Sequence, residues 1–165
     1  MKIACIATYP PRVCGIATFT NNLVKHIYQV DDGKLSSLVD VIAINNNIPI
    51  EEYPPEVKFT IDQQDLQDYY KGADFINFSD ARVCILEHEF GIFGGESGVH
   101  ILRLIHRLQI PLIVTLHTIL ESPTFLQKSI IQELGRKADK LIVMSNLGFQ
   151  FLTEIYEIPI NTIYP

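Results

Sequence analysis

Short apolar runs alternate with longer stretches whose apolar residues recur at helical spacing. Residues 2–8, KIACIAT, form the first run, and Pro10 and Pro11 close it, so it reads as a buried strand. Ile16, Phe19, Leu23, Ile27 and Val30 follow at helical spacing, with Asn21, Asn22 and Lys25 on other faces. Residues 38–44 read as a second buried strand ending at Asn45, Asn46 and Asn47. A proline-rich loop at 51–56 leads to a short strand at 57–61, after which Asp62 can cap a helix to about Ala73. Residues 82–88 are the next strand. A loop carrying Gly91, Gly94, Gly95 and Gly98 follows, then a helix to about Gln109. Residues 111–117 form the fifth and most apolar strand, and 121–136 hold a loop and a helix. A sixth strand at 139–145, a helix at 146–156 and the start of a seventh strand at 160–165 complete the pattern.

Strands alternating with helices predict an α/β chain: a mostly parallel central sheet of about six or seven strands, wrapped on both faces by helices. Such sheets bind ligands beyond the carboxyl ends of their strands. Those ends are Thr8, Asn45, His88, His117 and Ser145, polar residues that each close an apolar run.

Composition narrows the classes. At 165 residues and 47% hydrophobic, the chain suits one folded domain, residues 1–165. A net charge of -6 disfavours a nucleic-acid partner, which needs a basic face. The cysteines, Cys5, Cys14 and Cys84, are odd in number and lack C-x-x-C spacing, so neither a disulfide framework nor a zinc site is expected. Cys5 and Cys84 read as core residues; Cys14, in a loop, has no base beside it. No run is long enough to span a bilayer, and residues 3–8 are too short for a signal-peptide core, so cytoplasmic residence is the default expectation.

The chemistry concentrates in two loops. In "TYPPRVCGIATFT", a helix starting near Gly15 leaves several amides without internal partners and adds partial positive charge. A residue without Cβ there lets an anion approach, and Arg12 could add charge; the plainer reading is that Gly15 only makes the turn. G-x-G-x-x-G and G-x-x-x-x-G-K-[ST] are both absent, which disfavours a dinucleotide site and a P-loop. In "EHEFGIFGGESG", Phe90 and Phe93 offer apolar faces and Glu89 and Glu96 could bind sugar hydroxyls. Glu87, His88 and Glu89 are neighbours on a strand and point to alternate faces, so no metal site is expected from them. His117 ends its strand at the cleft before Thr118, whereas His26, His100 and His106 fall in helices as surface or edge residues. Ser145 reads first as a helix cap and second as a ligand contact; it lacks the G-x-S-x-G elbow. Lys128, Arg136, Lys137 and Lys140 form a basic patch or, more simply, a solvated face, so a membrane partner is left open without support.

"ATYPPRVCGIATFTNNLV", "LEHEFGIFGGESG", "PLIVTLHT" and "ADKLIVMSNLGFQFL", in this order and spacing, resemble the amino-terminal domain of retaining glycosyltransferases of family 4. The resemblance implies a Rossmann-like three-layer sandwich, the amino-terminal half of a GT-B fold. It implies sugar transfer with retention from a nucleotide sugar to a glycan or small-molecule acceptor, with no metal or cofactor. It puts Gly15 near the donor diphosphate, His117 near the transferred sugar as the catalytic residue, and Phe90, Gly94, Gly95 and their loop neighbours on the acceptor side. The carboxyl-terminal domain that grips the nucleotide in that family has no counterpart here, so these residues are expected to be inactive alone. Two other readings stand beside this one: a non-catalytic binding module that reuses the fold, and another GT-B enzyme such as a sugar-nucleotide epimerase.

Overall fold

The computed structural model describes residues 1–30, 38–49 and 52–164. Glu51 and Pro165, at the bounds of an expected loop and strand, and the side chain of Val30 lie outside the described residues. The strands are β1 (Lys2–Ala7), β2 (Val39–Asn45), β3 (Val57–Asp62), β4 (Ala81–His88), β5 (Leu112–Leu116), β6 (Lys140–Val143) and β7 (Ile163–Tyr164). The helices are α1 (Gly15–Val30), α2 (Leu66–Phe78), α3 (Ile101–Arg107), α4 (Phe125–Lys137) and α5 (Asn146–Glu154). The strands form one sheet in the order β3-β2-β1-β4-β5-β6-β7, and every pairing is parallel. This is a Rossmann-like α/β fold. The order reverses between β1 and β4, the switch point where sheets of this kind open a crevice at their carboxyl ends.

Alternation along each strand divides the core in two. Ala4, Ile6, Ile42, Ile44, Cys84, Leu86, Val114 and Leu116 face one way, onto Tyr69 and Ala73 of α2 and Leu104 of α3. Cys5, Val39, Val41 and Ala43 face the other way, onto Val24 of α1, with Ile27 and Tyr28 beside it. Each fully buried Val or Ile contributes about 1.5–3 kcal/mol. Burial raises the thiols of Cys5 and Cys84, as suits core residues.

Along α1, Ala17, Thr20 and Val24 are buried, Ile16 and Ile27 pack partly buried against the core, and Phe19 is 37% exposed. Two elements depart from the sequence pattern. Asp62 does not cap α2, because β3 runs through Asp62 in register with Asn45. Asp65 caps it instead, accepting from the Gln67 amide at 2.8 Å, and the helix continues past Ala73 to Phe78. The helix expected directly after Gly98 begins only at Ile101, because two 3₁₀ turns, Phe90–Ile92 and Glu96–Gly98, occupy the approach.

At the edge opposite the strand tips, Lys2 bridges Asp40 at 3.0 Å and Asp80 at 2.9 Å. Its ammonium pKa is raised, first by the Asp80 carboxylate and then by Asp40. Among the described residues, no helix is long and apolar enough to cross a membrane.

Candidate functional site

Residues that sequence reasoning assigned separately meet at the carboxyl edge of β1, β4 and β5. β1 ends at Ala7, and the buried Thr8 and Tyr9 lead into the loop before α1. Cys14 caps that helix. Its Sγ accepts from the Ala17 amide at 3.4 Å and lies 3.1 Å from Thr8 Oγ1, and its carbonyl accepts from the Thr18 amide at 3.1 Å. Among the described residues, nothing accepts from the amides of Gly15 and Ile16, so two polar donors at the positive end of α1 are left for a ligand or water. Gly15 is exposed, and a Cβ built on it would meet nothing within 4 Å. Its φ is not in the left-handed region, so neither strain nor packing requires glycine there.

His117 follows β5 directly, on the α1 side of the sheet. Its Nε2 lies 2.7 Å from Oε2 of Glu87, a carboxylate that is fully buried in β4. The parallel register sets Glu87 beside Thr115, whose hydroxyl donates to Oε1 at 3.4 Å. The His117 amide donates to the His88 carbonyl at 3.0 Å. Phe19 of α1, one turn beyond Gly15, sets its ring edge-on against the imidazole at 4.7 Å and 82°. Gly15 and His117 therefore stand at the same edge of the sheet, joined through α1. His117 also lines a cavity of about 300 Å³ with Thr118, Met144, Ser145, Leu147 and Phe151. Ser145 caps α5, its hydroxyl accepting from the Gly148 amide at 3.0 Å, and stays exposed at the rim of this cavity.

His88 points to the opposite face from Glu87. It is fully buried, both ring nitrogens lack a partner among the described residues, and it packs against Phe90 and Phe93 at 5.1 and 5.7 Å. Desolvation, then the nearby His117, pulls its pKa down to about 3, so it is neutral near pH 7. Phe90 and Phe93 are buried at 8% and 2% exposure, which corrects the expectation that they turn apolar faces toward a ligand.

The glycines of this loop have structural reasons. A Cβ on Gly94 would overlap the Gln63 carbonyl oxygen, and Gly95 has φ 74°. The Gly94 amide donates to Tyr69 Oη at 2.8 Å, and Tyr69 donates to the Gln63 carbonyl at 2.9 Å. Burial pushes the Tyr69 phenol up to about 12. Glu89 caps the first 3₁₀ turn by accepting from the Gly91 amide at 2.9 Å, and Glu96 is exposed. Arg12 reaches the ends of β2 and β3, where Nη1 donates to the Ile44 carbonyl at 3.3 Å and to Gln63 Oε1 at 3.1 Å. His26 and His106 are exposed helical residues as expected, and His106 faces Glu133 at 3.2 Å. His100 instead precedes α3, half-buried and edge-on to Tyr69. In the basic patch, Lys128 pairs with Glu157, Arg136 with Glu133, and Lys137 and Lys140 donate to the carbonyls of Leu108 and Asn161.

Sequence reasoning missed Glu87 as a partner of His117. An acidic residue one position from the end of an apolar strand was the signal, and its significance depends on the register between β4 and β5. Helical spacing alone did not show that Phe19 borders the imidazole.

The chain matches no protein-family model, and no curated protein matches it. Fold and site define a class, a Rossmann-like α/β domain with a histidine and an open helix terminus at the switch-point edge.

Proposed function

We propose that this chain is the acceptor-side domain of a retaining glycosyltransferase that uses a nucleotide sugar. The observation that carries the reading is the pairing of an unrequired glycine at the open start of α1 with His117, held by a buried carboxylate at the same edge. The motif resemblance to family 4 enzymes supports it. The free amides of Gly15 and Ile16 suit phosphate oxygens, and the dipole of α1 stabilises charge that grows on a departing diphosphate. His117 and the cavity beside it suit a sugar. In this reading the sugar–diphosphate bond breaks, an acceptor oxygen bonds the same carbon from the same face, and the acceptor proton leaves on the diphosphate. The nucleotide is gripped mainly by a second, carboxyl-terminal domain, so residues 1–165 alone turn over little donor.

The test is consumption of a panel of nucleotide sugars by the full-length gene product. Gly15→Val and His117→Ala should each lower transfer about a hundredfold with folding preserved, the scale of losing one preorganised charge-stabilising contact. Normal rates in both variants would overturn the assignment. Donor epimerisation without transfer would favour the epimerase reading, and binding without turnover the non-catalytic module.

A further inference from the structure

We propose that Glu87 is a positioning residue that fixes the tautomer of His117, so that Nδ1 presents a lone pair to the cleft. Glu87 is fully buried, and its Oε2 sits 2.7 Å from His117 Nε2. An ionised carboxylate only accepts hydrogen bonds, so the proton of a neutral imidazole must sit on Nε2. Thr115 supports the same polarity by donating to Oε1 at 3.4 Å.

The ring is also held in place. Its backbone is tied to the His88 carbonyl, and Phe19 stands edge-on against it. Among the described residues Nδ1 has no partner, and it is not one of the buried orphan atoms. It is therefore the nitrogen left for a ligand.

This sorts the ligand's parts. An unprotonated Nδ1 attracts a donor such as a sugar hydroxyl and repels the acceptor-only oxygens of a phosphate. The phosphates fall to the open amides of Gly15 and Ile16, and a hydroxyl falls to His117. The assignment of the hydroxyl to a sugar rests on the proposed function; the tautomer does not.

The test is a long-range ¹H–¹⁵N correlation spectrum of the imidazoles in the ¹⁵N-labelled protein, recorded on the basic side of neutrality. His117→Gln assigns the signals by their loss. The expected result is a protonated, pyrrole-type Nε2 and an unprotonated, pyridine-type Nδ1, shifted well downfield. In Glu87→Gln the carboxamide can donate as well as accept, so the two nitrogens should move toward each other as tautomers mix. A pyridine-type Nε2 in the wild type would overturn the proposal, and so would an unchanged pattern in a folded Glu87→Gln protein. If that variant does not fold, the wild-type pattern alone decides. The expected pattern in a protein that transfers no sugar would sink the glycosyltransferase reading and leave this inference standing.

Discussion

Two glycine-bearing loops leave the carboxyl edge of the sheet, and they differ in what holds their glycines. In the loop after β4, Gly94 has no room for a Cβ against Gln63, and Gly95 and Gly98 adopt φ of 74° and 78°. Tyr69 and Gln64 accept hydrogen bonds from its amides, and Phe90 and Phe93 are packed inside. At the start of α1, Gly15 has space around it, an ordinary φ, and amides beside it that have no acceptor among the described residues. A glycine that the fold demands says little about ligands. One that the fold does not demand leaves ligand approach as the reason to be argued.

The contrast can be broken at several points. Gly94→Ala should have the largest effect, destabilising the protein by at least about 2 kcal/mol in urea denaturation, because the clash is with backbone rather than a mobile side chain. A loss below about 0.5 kcal/mol would mean that the loop yields easily. His88→Leu should act next, through pH. The folded protein holds His88 near pKa 3, whereas an unfolded histidine titrates near 6.5. Between those values the unfolded state binds a proton that the folded state does not, so stability falls as pH falls. The variant should lose this one-proton slope, about tenfold in the unfolding constant per pH unit. Equal slopes between pH 6 and 4 would contradict the burial of a neutral ring. Ser145→Ala should cost about 1 kcal/mol through loss of the α5 cap, read from the shift in denaturation midpoint. Gly15→Ala should be the smallest, within about 0.5 kcal/mol of wild type. A large loss there would show that Gly15 is held by the fold after all.

The sheet was legible because buried parallel strands and their helices leave a strong alternation, and β1, β4 and β5 fall within a residue or two of the apolar runs. The strand tips were legible for the same reason, and they supplied His88, His117 and Ser145. Contacts between distant segments were not. Glu87 matters because β4 and β5 align residue 87 with 115, and a shift of one residue would turn it to the other face. The helical spacing of α1 was legible, but the contact of its exposed Phe19 with His117 depends on how the helix lies over the sheet. Arg12 was assigned by nearness in sequence to Gly15, but the loop aims it at Ile44 and Gln63, far along the chain.

The central claim is that the start of α1 and His117 form one site for a sugar and its diphosphate. Titrating inorganic pyrophosphate into the ¹⁵N-labelled protein, and following amide and imidazole signals, tests it most directly. The account predicts saturable shifts at the Gly15 and Ile16 amides, with a response at His117, all lost in a folded Gly15→Val variant. No saturable shift at Gly15 and Ile16, or the same shifts persisting in Gly15→Val, would contradict it.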